Sequence, residues 1–144
     1  MAQLLGEHRY QMDAKGRISL PQRFREAFAE GAYLTLGQDG CVYAFAQERW
    51  DRESERLNEL ALSESKTRAY QRMFFGNAER VELDSQGRMV LPRKLRDSVG
   101  LGREVIVLGV SDRLEIWSKE AWERYEAGHA MAYSNGTLRP ERAE

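Results

Sequence analysis

Two short stretches place the same chemistry-bearing side chains at the same spacing. Asp13-Ala14-Lys15-Gly16-Arg17 is matched by Asp84-Ser85-Gln86-Gly87-Arg88. An aspartate four residues before an arginine, with a glycine between them, is turn chemistry. The carboxylate can hold the turn, and glycine takes the positive φ that other residues resist. The arginine offers a planar fork of N–H donors, suited to phosphate or to the two acceptors of a guanine edge. Lys15 adds a point charge, and Gln86 stands at its place in the second stretch. Asp13 and Asp84 read as turn-holding residues rather than contacts, because a carboxylate near phosphate weakens binding.

The match extends well beyond the turns. Arg17-Ile18-Ser19-Leu20-Pro21 recurs as Arg88-Met89-Val90-Leu91-Pro92, at an offset of 71. Phe24-Arg25-Glu26 aligns with Leu95-Arg96-Asp97, and Leu36-Gly37 with Leu108-Gly109. Trp50-Asp51-Arg52 aligns with Trp122-Glu123-Arg124 at an offset of 72, so the second copy carries one extra residue, placed in the Gly100-Leu101-Gly102 loop. The chain therefore reads as one repeat over 6–52, a connecting helical segment over 53–76, a second repeat over 77–124 and a flexible tail over 128–144.

Each copy has the same element pattern. Segments 6–12 and 77–83 are strands by alternation. The turns follow, and 17–20 and 88–91 are return strands ended by Pro21 and Pro92, which cannot donate to a ladder. Short helices are expected over 22–29 and 93–99, then hairpins of 33–37 with 41–46 and of 105–109 with 114–117. Helices starting near Glu48 and Lys119 close each copy. In the connecting helix, 63–75, Leu62, Ala69, Tyr70 and Met73 share a face. Trp50, Trp122, Phe74 and Phe75 suit core positions better than base stacking. Arg25 and Arg96 each sit beside an acid, which points to a structural salt bridge.

Charge is distributed unevenly. The chain has 144 residues, 22 Lys and Arg against 23 Asp and Glu, and a net charge of −1. That excludes a globally basic DNA coat and a polybasic membrane binder, but not a local patch. Residues 13–25 carry four bases against one acid, and so do residues 84–96. A turn between two strands would put these bases at the tip of a two-stranded ribbon, which fits the major groove. On residue types alone, DNA contact and solvated surface charge both remain open.

Other chemistry finds little support. One cysteine, Cys41, excludes a disulfide framework and a cysteine-based zinc cluster. His8 and His129 are too few for a metal site, and both lie outside the repeated motifs, so no base stands beside a nucleophile. Gly100-Leu101-Gly102 starts like a dinucleotide loop but lacks the third glycine and follows a helix. No catalytic residue, cofactor or small-molecule ligand is assigned. No apolar run reaches membrane-spanning length, and the first residues lack signal-peptide character, so a cytosolic protein is expected.

The doubled D-x-[KQ]-G-R-[IM]-x-L-P-x-[RK]-[FL]-R, together with Arg72-Met73-Phe74-Phe75-Gly76-Asn77-Ala78 and Glu115-Ile116-Trp117, resembles the MraZ family. That family is part of the AbrB/SpoVT-like group. The resemblance runs from about Gly6 to Tyr125. It implies a β-rich α+β fold in which tandem SpoVT-AbrB-like repeats form a double-split, swapped-hairpin β-barrel with flanking helices. It further implies a transcriptional regulator, typically a repressor, of the division and cell-wall gene cluster. Such a protein binds direct repeats in double-stranded DNA upstream of its own gene, as a nucleoid-associated, ring-shaped homo-oligomer. By position, the implied DNA-binding residues are Lys15, Arg17, Gln86 and Arg88. An AbrB-like antitoxin or protein-interaction module is the alternative.

Overall fold

The strand that follows each turn pairs with its counterpart in the other copy. The computed structural model describes residues 3–142. The first copy comprises β1 (Leu4–Gln11), β2 (Arg17–Ser19), α1 (Gln22–Arg25), β3 (Ala32–Leu36), β4 (Val42–Phe45) and α2 (Gln47–Asn58). Helix α3 (Ser65–Gly76) connects it to β5 (Glu79–Val81), β6 (Arg88–Val90), α4 (Arg93–Ser98), β7 (Glu104–Ser111), β8 (Leu114–Ser118) and α5 (Lys119–Ser134).

The pairing interleaves the copies. β2 and β6 form a separate two-stranded antiparallel ribbon, and the other strands form one sheet in the order β1-β7-β8-β4-β3-β5. Exchanging each strand for its repeat counterpart turns that order into its own reverse. The central pairs of the two self-paired contacts, Ile18 with Met89 and Tyr43 with Glu115, join equivalent positions of the two copies. A pseudo-twofold axis therefore passes through the middle of the ribbon and the middle of the sheet. The outer pairings are unequal: β1 matches β7 over eight residues, whereas β5 matches β3 over three. β1 and β5 end the sheet as edges, so its hydrogen-bonded order does not close into a barrel.

Alternation along the strands sorts side chains into two cores. Ala32, Leu34, Val42, Ala44, Val105, Val107, Leu114 and Ile116 face the ribbon. There they meet Ile18, Leu20, Met89 and Leu91 from its inner face, with Phe24, Phe28 and Leu95 from the short helical segments. On the opposite face, Phe45 packs with Leu57, Trp50 and Phe74, and Trp117 packs with Ile106, Trp122 and Tyr125. Trp50 stacks between Tyr33 and Phe74, at ring distances of 4.8 and 5.4 Å, so both repeat tryptophans anchor helices as their positions suggest. Burial on both faces explains why β8 is buried at every position.

Four expectations change. The strands after the turns do not return along β1 and β5, because the apolar inner face of each is completed by the other copy. Helix α1 is one turn long; Phe28, Ala29 and Gly31 bond back three residues instead of four, which tightens the chain into turns. In α3 the buried residue is Phe74, while Leu62 and Met73 are exposed, so the apolar face is rotated toward Phe45 and Trp50. The tail starts later than residue 128. Helix α5, capped by the Ser118 hydroxyl, continues to Ser134 and is stopped near Gly136 at φ 78°. Tyr125 stacks on His129 across one of its turns. The last two residues of the expected tail lie outside the described residues. Among the described residues, no helix is long and apolar enough to cross a membrane.

The β1–β7 seam depends on Gly109, which pairs with Gly6. A Cβ at Gly109 would lie 2.5 Å from the Leu5 nitrogen and 2.6 Å from the Leu4 carbonyl carbon, both backbone atoms that cannot move aside. Gly109→Ala is expected to destabilise the fold by about 1–3 kcal/mol. Gly128→Ala, on open helix surface, should stabilise by roughly 0.5–1 kcal/mol. Thermal unfolding of the two variants against the parent checks both signs.

Candidate nucleic-acid interface

Each turn is built by its own aspartate. Asp13 Oδ1 accepts from the backbone N–H groups of Lys15 and Arg17, both at 2.9 Å, and Oδ2 accepts from Arg17 Nε at 2.6 Å. Asp84 does the same for the N–H groups of Gln86 and Arg88 at 2.9 Å and for Arg88 Nε at 2.8 Å. Gly16 and Gly87 donate to the aspartate carbonyls at 3.0 Å and hold φ of 77° and 74°. The aspartates therefore hold the turns, as their type and spacing suggest. Their carboxyls titrate below the ordinary Asp value of 3.8, chiefly because the Arg17 and Arg88 backbone N–H groups bond the charged form.

The ribbon brings the two arginines to one surface. Ile18 and Met89 point inward and are fully buried, so the alternate residues Arg17, Ser19, Arg88 and Val90 form the outer face. Arg17 pairs with Val90, and Ser19 with Arg88. The arginines are thus two residues apart along the ribbon, roughly 7 Å, plus the width of one strand pair. Each uses Nε on its aspartate, and among the described residues its two terminal nitrogens make no hydrogen bond. Both side chains are only partly exposed, at 27% and 29%. An arginine held this way has surrendered much of its rotamer entropy before meeting a ligand.

Lys15 and Gln86 are exposed at the turns. The turns sit at opposite ends of the ribbon rather than at one hairpin tip. Leu20 N–H donates to Gly87 O at 3.1 Å, and Leu91 N–H donates to Gly16 O at 2.8 Å, so each turn abuts the end of the other copy's strand. Arg17 and Arg88 thus share one face, and Lys15 and Gln86 lie exposed in the turns at its two ends.

Arg25 and Arg96 depart from expectation. Among the described residues neither forms a salt bridge. Arg25 Nε donates to Leu20 O at 3.2 Å, and its guanidinium lies over Gly87. The Arg96 guanidinium lies over Gly16, where a Cβ would be 2.7 Å from Cζ. Their role was hidden because the contact crosses between copies, which spacing within one copy does not reveal. The one available signal was that both arginines recur at the same place.

Among the described residues, His8 and Cys41 build no competing site. His8 is engaged by Leu5 O and Arg23, and packs edge-on against Phe24 at 5.3 Å. Cys41 is buried, and burial pushes its thiol up, away from the thiolate form. Among the described residues no group of three or more His, Cys, Asp or Glu is placed to hold a metal ion.

A family model described as "MraZ protein, putative antitoxin-like" matches the chain twice, over residues 3–73 and 74–140. The chain is also similar to proteins named "Transcriptional regulator MraZ". That of Acetivibrio thermocellus is 40% identical over 88% of this chain and 89% of its own. That of Carboxydothermus hydrogenoformans is 42% identical over 90% of each. That of Desulforamulus reducens is 42% identical over 85% of this chain and 87% of its own.

The aspartates give the surface a defined acid limit. A carboxyl with a lowered value in the folded state contributes order that is complete above its unfolded value and lost as pH falls through the folded value. The Asp13 and Asp84 side-chain carboxyl resonances should therefore titrate with midpoints below 3.8. Midpoints at or above that value would show that the carboxylates do not hold the turns.

Proposed function

The chain belongs to the MraZ family, a family of non-enzymatic regulators, and we propose that it is a sequence-specific DNA-binding transcriptional regulator. One observation carries this reading above the rest: Arg17 and Arg88, each aimed by an aspartate, share the outer face of one ribbon. A two-stranded ribbon is narrow enough for the major groove, and the free guanidinium edges suit guanine O6 and N7 or phosphate. Lys15 supplies a phosphate contact and Gln86 a neutral donor and acceptor, so the two turns would not contribute equally.

In this reading the interleaved strands are the double-split, swapped-hairpin arrangement, with the ribbon as its DNA-facing layer. The targets are direct repeats upstream of the protein's own gene in the division and cell-wall cluster, where binding represses. A single ribbon offers few contacts. A ring-shaped homo-oligomer in the cytoplasm, associated with the nucleoid, would present several ribbons to successive repeats and raise the effective concentration of each. Exposed Leu5, Met73, Met131 and Tyr133 supply apolar surface for such assembly.

The test is binding to the duplex upstream of the gene across a salt series, with a scrambled duplex as control. The native protein should prefer the upstream duplex, with log K falling at about −0.9 per phosphate contact against log salt. An Arg17→Ala/Arg88→Ala variant should lose that preference and at least about tenfold in affinity, since each good base contact is worth about 1–3 kcal/mol. Equal binding of both duplexes, or an unaffected variant, would refute the reading and favour a protein partner of the antitoxin type.

A further inference from the structure

Arg25 and Arg96 are repeated cations to which the turns and the ribbon give no role. Each leaves its own copy and covers the turn glycine of the other. A Cβ at Gly87 would overlap Arg25 Nε, Cδ and Cζ, and one at Gly16 would fall 2.7–3.0 Å from Arg96 Cζ, Nη1 and Nε. Both glycines are buried beneath these planes although they lie in surface turns. Arg25 is further tied in through Leu20, whose carbonyl accepts from Arg25 Nε while its N–H donates to Gly87 O. Arg96 lacks the matching bond; its Nε is buried without a partner among the described residues. Neither guanidinium is neutralised by a carboxylate there, so salt bridging does not explain their placement.

We propose that these arginines are positioning residues that act crosswise: Arg25 sets the turn carrying Gln86 and Arg88, and Arg96 sets the turn carrying Lys15 and Arg17. A flat guanidinium seats against a glycine that has no Cβ, and it restrains the peptide plane from which the DNA-facing arginine departs. Lysine keeps the charge but has neither the planar fork nor the Nε donor. The packing stands on geometry alone, while its consequence for affinity rests on the DNA-binding reading above. Because only Arg25 has a hydrogen-bonded anchor, the second turn depends on its clamp more than the first does.

Hydrogen exchange of the full chain, read by peptide mass spectrometry, tests the crossing without DNA. Arg25→Lys should speed exchange within residues 84–88 by about two- to tenfold, the range expected for loss of one hydrogen bond, and leave 13–17 unchanged. Arg96→Lys should do the reverse, with the smaller effect. Arg25→Gln and Arg96→Gln should reproduce the pattern if either lysine variant folds poorly. Acceleration in the same copy's turn, in both turns equally or in neither would overturn the proposal. Binding to the upstream duplex adds a second arm. Arg25→Lys should weaken the parent and the Arg17→Ala variant by the same factor, and weaken the Arg88→Ala variant less. Equal factors in all three backgrounds would overturn the crossed assignment. If even the parent shows no preference for that duplex, the DNA reading fails and the exchange pattern alone decides the packing.

Discussion

Three residues from each copy, Arg17–Ser19 and Arg88–Val90, pair across the chain, and the rest of the structure depends on that exchange. A strand this short cannot bury its own apolar side. Paired, the two present Ile18, Leu20, Met89 and Leu91 as one continuous inner face over the sheet. That burial fixes register, because a slip of one residue would turn the arginines inward and Ile18 and Met89 out to water. The position of the basic surface is therefore set by the hydrophobic core and not by the charges themselves. It also makes the copies interdependent: neither has a complete ribbon or a complete sheet of its own.

The electrostatics follow from the same arrangement. A net charge of −1 coexists with a basic surface because the acids concentrate in other segments. Residues 48–64 and 104–126 each hold six acids against three bases. Several of those acids are occupied: Glu53 bonds Arg56 and Arg49, and Glu115 bonds Arg113 and Trp117. The arginines of the ribbon are also paired, but with aspartates that use only Nε. The carboxylate costs some positive field yet fixes a direction, and preorganisation of this kind favours specificity over raw attraction.

Much of this was legible in the sequence, for physical reasons. The aspartate–glycine–arginine turns could be read because all their hydrogen bonds are local. The anchoring of the closing helices could be anticipated from Trp50 and Trp122, which are large, apolar and placed alike in both copies. Partner choice was not legible. Alternation marks Ile18 and Met89 as inward-facing without saying what covers them, and a turn between two strands looks the same whether the strands pair with each other or with distant ones. For the same reason Arg25 and Arg96 looked like partners of Glu26 and Asp97, while the glycines they cover lie some 60–80 residues away in the chain. Helix α5 ran past residue 128 because Ala130 and Ala132 favour helix without advertising it through an apolar face.

The most direct measurement is the affinity of an Asp13→Ala/Asp84→Ala variant for the upstream duplex at fixed salt. Simple charge counting predicts tighter binding, because two negative charges leave the surface. If the aspartates aim the arginines, binding should weaken and discrimination against a scrambled duplex should shrink, because the turns lose their acceptors and the guanidinium groups lose their direction. Tighter or unchanged binding with discrimination intact would contradict the central claim that aspartate-held arginines on one ribbon read the DNA.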